Sequence, residues 1–192
     1  MSELMRLSIG RHNGIVRAAL VTIGVLLIPL WGTFYVDGWN WDWKGFVVVG
    51  AVVFGAALTY QLVARTMSDV AYRVAVGLAL ATAFVLTWMN WVLAVDVNPL
   101  NVMYLGVVVV GLVGAAIARL RAPGMALALV AMAIAQMLVP LLALVFWNTK
   151  LAPGGPFAFF GLNGVFILLF AMSGLLFRRA ARTQEKPPAR VE

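Results

Sequence analysis

The sequence predicts an all-α fold, a polytopic membrane protein built as a six-transmembrane-helix bundle. Three observations carry that prediction. Of 192 residues, 64% are hydrophobic and 11% are charged. Soluble domains carry about 25% charged residues, so too little charge is present to cover a surface facing water. Apolar runs of roughly twenty residues recur along the chain, each long enough at about 1.5 Å per residue to cross a hydrocarbon core of about 30 Å. The basic residues also alternate from loop to loop. The N-terminal stretch, residues 65–73, residues 119–121 and the tail hold 12 of the 14 Lys and Arg, and the other three connections hold only Lys44 and Lys150. By the positive-inside rule this predicts both termini in the cytoplasm, an N-in/C-in topology that requires an even number of spans.

The net charge of +7 is concentrated at chain ends and loops, with no basic groove interleaved with aromatics, so nucleic acid is not an expected partner. Anionic lipid head groups at the cytoplasmic face are. The chain has no cysteine, which removes disulfides, thiol catalysis and thiolate metal sites.

Residues 1–14 read as a polar, basic cytoplasmic segment. The first span covers 15–36, longer than the apolar region of about 7–15 residues in a signal peptide, and is read as retained, with Arg17 snorkelling to the interface and a kink at Pro29. Between Asp37 and Lys44, Trp39, Trp41 and Trp43 alternate with Asn and Asp, the pattern of an interfacial aromatic belt; a stacking platform for a sugar is the competing reading. The second span, 45–64, carries a small-residue stripe through Gly50, Ala51 and Gly55.

In the third span, 72–95, a ladder of Ala75, Ala79, Ala83 and Thr87 continues from Ala71 at four-residue spacing, so one helix face bears only small groups. That face is expected to pack on the Gly-rich second and fourth spans, with Trp88 and Trp91 as interfacial anchors. The fourth span, 102–118, presents Gly111 and Gly114 for close packing; Arg119 and Arg121 end it, and Pro123-Gly124 punctuate a turn. The fifth, 125–147, is interrupted at Pro140 and anchored by Trp147. The sixth, 157–177, places Phe159, Phe166, Phe170 and Phe177 near one face. Residues 179–192, with Pro187-Pro188, read as a disordered cytoplasmic tail. Gly55-Ala56-Ala57-Leu58 and Gly114-Ala115-Ala116-Ile117 suggest a faint parallel repeat of the hairpins that contain them.

Ionisable residues inside a membrane are the usual pointer to proton relays and ion paths. Here they sit only at the span ends, and the single histidine, His12, precedes the first span. No catalytic residue, metal site or cofactor is therefore predicted. The intramembrane polar candidates are amides: Gln136 near the middle of the fifth span, Asn163 about 5 Å and Asn90 about 8 Å outward of the midplane by residue count. An amide left unpaired in hydrocarbon costs several kcal/mol, so each must face a neighbouring helix or a wet cavity. Helix–helix contact is the simpler reading. The other is an outward-open polar pocket around the three amides, among Thr33, Tyr35, Trp88, Trp91, Asn101 and Tyr104.

Three blocks, Gly50 to Arg65, Tyr72 to Asn90, and Asn98 to Arg119 opening Asn-Pro-Leu-Asn-Val-Met-Tyr, resemble an uncharacterised group of small multi-pass inner-membrane proteins of bacteria. The resemblance implies a bacterial cytoplasmic membrane and a helical bundle, and implies no activity. Members of that group often carry Glu where this chain has Gln61, a carboxylate this chain lacks. The expectation is a non-enzymatic scaffold or accessory subunit, alone, self-associated or with another membrane protein. The alternative is a facilitator passing a small molecule along an uncharged polar path.

Overall fold

A computed structural model describes residues 2–36, 41–93, 99–147 and 155–185. The described residues form six helices: α1 (Ser2–Tyr35), α2 (Trp43–Thr66), α3 (Val70–Leu93), α4 (Pro99–Ala118), α5 (Ala122–Trp147) and α6 (Gly155–Glu185). Each contains a segment long and apolar enough to cross a membrane. The all-α, six-span reading is what the structure shows.

Helix ends differ from the expected boundaries where propensity outruns hydropathy. α1 starts at Ser2, so the basic segment before the first span is helical; no proline precedes Pro29, and a helix once nucleated propagates cheaply. α6 runs through Arg178–Arg182 to Glu185, replacing the expected disorder of 179–185. Arg and Ala are good helix formers, and cations in a last turn complement the helix dipole. Residues 186–192, with Pro187-Pro188, lie outside the described residues. Pro123 and Gly124 sit in the first turn of α5, where a missing N–H costs nothing.

Two aspartates start helices. Asp42 caps α2 by accepting from the Gly45 amide at 2.9 Å, and the preceding Trp41 packs edge-on against Phe46, ring centroids 5.4 Å apart. This is an N-cap with its hydrophobic staple. Asp69 accepts from the Tyr72 amide at 3.1 Å and caps α3 in the same way.

The chain divides into two compact units, Met1–Ser68 and Asp69–Glu192. In the first, α1 packs on α2. A Cβ at Gly50 would lie 3.3 Å from Leu26 Cδ1, so this glycine is at the helix contact, whereas one at Gly55 would meet nothing within 4 Å. At its repeat counterpart Gly114 a Cβ would stand 2.6 Å from Ala128 Cβ. The shared motif therefore serves different surroundings.

In the second unit the helices close a ring in which α3 packs on α6, α6 on α5, α5 on α4, and α4 lightly on α3. The principal neighbour of the alanine ladder is thus α6, not the fourth span. Ala75 is fully buried, and its carbonyl accepts from the Ser173 hydroxyl of α6 at 2.8 Å. Ala79 and Ala83 are half-buried. The expected phenylalanine face of α6 forms: Phe159, Phe166, Phe170 and Phe177 are all buried. Hydroxyls of Thr22, Thr33, Thr59, Thr82 and Thr87 each donate to the carbonyl four residues earlier, which lets a threonine sit in hydrocarbon without an unpaired group.

The α4–α5 turn is tight. Arg119 and Leu120 both take left-handed backbone conformations, φ 49° and 58°, a cost of about 1 kcal/mol or more for each non-glycine residue. Tyr72 secures that turn from another helix. Its hydroxyl donates to the Leu120 carbonyl, and its fully buried ring stands edge-on against Phe177, centroids 5.0 Å apart. Tyr72→Phe is expected to keep the ring contact and orphan the carbonyl, costing about 1–1.5 kcal/mol. Tyr72→Ala also opens a cavity and should cost about 3–5 kcal/mol. Thermal denaturation of both variants in one detergent checks the ratio.

Candidate functional site

Buried polarity in the second unit converges on Asn163 of α6, which is 1% exposed, and Gln136 of α5, which is 0% exposed. Asn163 sits on the buried phenylalanine face of α6, one turn after Phe159, and Gln136 on the buried face of α5 with Met132, Ala133 and Val139. Gln136 Nε2 donates to Asn163 Oδ1 at 2.8 Å. The same oxygen accepts from the Tyr104 hydroxyl of α4 at 3.1 Å. Asn163 Nδ2 donates to the Phe159 carbonyl at 2.8 Å. One amide therefore joins three helices.

These bonds fix which end of each amide is oxygen. A carbonyl can only accept, so the Asn163 atom facing Phe159 is nitrogen and its other terminal atom is oxygen. That oxygen accepts, so the Gln136 atom facing it is nitrogen. The remaining atom, Gln136 Oε1, is buried and has no hydrogen-bond partner among the described residues.

Of the three predicted amides, the structure brings together Gln136 and Asn163. Asn90 bonds elsewhere: its Nδ2 donates to the Asn101 main-chain carbonyl at 3.2 Å, linking the end of α3 to the start of α4. The third member of the hub is Tyr104, which the pocket reading placed only among the residues at this depth and which the structure bonds to Asn163. Its signal was its position three residues after Asn101, on the same face of α4.

The aromatic anchors fall into three groups. Trp43 is exposed, Trp41 packs on Phe46, and Trp88 tilts against Phe84 with centroids 5.6 Å apart. Trp39 lies outside the described residues, as do the side chains of Trp91 and Trp147. Among the described residues no three His, Asp or Glu side chains gather where a metal ion could bind. What the amide cluster can do is hydrogen bonding, through neutral donors and acceptors.

Large apolar side chains, among them Leu27, Ile28, Phe34, Leu112, Ile117, Leu127, Val145 and Leu168, are exposed on the helices, the arrangement of a chain whose solvent is lipid. Six such helices define a multi-pass membrane protein. Comparison with family models, curated proteins and solved structures found no match.

Proposed function

We propose that the chain is a non-enzymatic helical scaffold or accessory subunit of the bacterial cytoplasmic membrane, with both termini cytoplasmic. The observation that carries this reading is that Asn163 joins α4, α5 and α6 through Tyr104 and Gln136: the intramembrane polarity is spent on holding helices together. Amide bonds between membrane helices contribute only about 0.6–2 kcal/mol each, so they specify which helices meet more than they stabilise the bundle. Asn90 bonds to the Asn101 carbonyl and, among the described residues, not to Gln136 or Asn163, which favours this reading over a facilitator. Contact with anionic lipids is supported by the basic residues at the two predicted cytoplasmic loops and both chain ends. Self-association or a membrane-protein partner completes the proposal.

The test is flux. Reconstituted into liposomes, the chain is expected to leave glycerol and urea permeation at the rate of empty vesicles; faster permeation overturns the scaffold reading in favour of a facilitator. Orientation has a separate check. A reporter fused after Glu192 should be active only on the cytoplasmic side, and periplasmic activity would reverse the proposed topology.

A further inference from the structure

Gln136 Oε1 is buried and unpartnered among the described residues, and the bonds that fix Asn163 fix this atom as an oxygen, so no amide flip relieves it. A second acceptor lies on the same residue. Pro140 stands inside α5 and carries no N–H, so the Gln136 main-chain carbonyl, four residues earlier, lacks the donor a regular helix supplies. Both deficits are of donors. The Gln136 side chain is fully buried and its hydrogen-bond partner Asn163 is uncharged, so a guest must be small and neutral. Water has two hydrogens to give, and in membrane helices ordered water is one of the groups that re-satisfies carbonyls freed by proline.

We propose that Gln136 is a binding site for a water molecule where α4, α5 and α6 meet. Water donates to Gln136 Oε1 and to the main-chain carbonyl released by Pro140. From this point the hydrogen bonds continue to Asn163 and on to the Tyr104 hydroxyl of α4. This site is independent of the scaffold reading, since a bound water needs no through-path. A water signal with no solute flux leaves both proposals standing, and flux without a water signal sinks both.

The chain has three glutamines, Gln61, Gln136 and Gln184, so a sample labelled with 15N-glutamine gives three side-chain amide signals. Gln61→Asn and Gln184→Asn variants assign them by elimination, without disturbing the cluster. The experiment selects water magnetisation in detergent or lipid and reads its transfer to each amide. Transfer to the Gln136 amide is expected, and Pro140→Ala, which restores the main-chain donor, is expected to weaken it. Gln136→Met should lower the melting temperature slightly. Absence of transfer to Gln136 while Gln184 receives it, or transfer from acyl-chain protons instead, overturns the proposal.

Discussion

Replacing Asn163 by Leu is expected to destabilise the bundle by about 2–4 kcal/mol, more than replacing Gln136 by Leu, and more than replacing both. The reason is what each change leaves behind. Asn163→Leu removes the acceptor shared by Gln136 Nε2 and the Tyr104 hydroxyl. The whole Gln136 amide then remains buried without its partner, at about 1–3 kcal/mol for each unmet group. Gln136→Leu leaves Asn163 still bonded to Tyr104 and to the Phe159 carbonyl, so its cost is small. In the double variant the stranded amide is gone, and the loss should be smaller than for Asn163→Leu alone. Thermal denaturation of the three variants in one detergent gives the cycle, with a coupling energy of about 1–2 kcal/mol expected. Simple additivity would mean that the two side chains do not act as a pair.

Gly114→Leu is the second large effect. A Cβ at Gly114 would stand 2.6 Å from Ala128 Cβ and 3.2 Å from its Cα, atoms held rigidly by α5. Even Ala must push α4 and α5 apart, and Leu must part them along their length. Overpacking costs about 1–3 kcal/mol in yielding cores, so a loss above ~3 kcal/mol is expected here, read as failure to recover folded protein. Gly111→Ala should be milder. Its new Cβ would meet Met132 Sδ at 2.4 Å, at the flexible end of a side chain that can move aside. Gly55→Ala, with nothing within 4 Å, should be neutral or gain up to about 1 kcal/mol from helix propensity. The order of these three glycines separates packing positions from glycines that merely fall in an apolar stretch.

The same comparison shows what was legible in the sequence. Six spans could be read because membrane crossing depends on length and hydropathy, which are local properties. Depth could be read too, and it brought Gln136 and Asn163 to nearly the same level. Depth does not identify neighbours. By residue count Asn90 lies close to the depth of Asn163, yet it donates to the Asn101 carbonyl. Ala75 of the alanine ladder is buried with its carbonyl bonded to Ser173 of α6, but nothing in the ladder's small residues distinguishes α6 from α4 as the helix that covers it. Glycine spacing had the same weakness: Gly55 and Gly114 open similar four-residue motifs, and only the facing helix decides which one is crowded. Asp42 and Asp69 each lie immediately before the first residue of a helix, where an N-cap belongs. Tyr72 carried no local signal at all, since its partner Leu120 is 48 residues away.

The α3–α6 contact also bears on the order in which the protein can assemble. Ser173 and the Ala75 carbonyl it meets are 98 residues apart, roughly 5–20 s of chain synthesis. During that interval α3 enters the membrane without its main neighbour while α4 and α5 are still being made. A polar face would spend those seconds stranded in lipid or captured by a wrong helix. Ala75, Ala79 and Ala83 offer hydrocarbon methyls, and the hydroxyls of Thr82 and Thr87 are already tied to their own helix. The ladder that later admits α6 so closely is therefore also a surface that can wait for it.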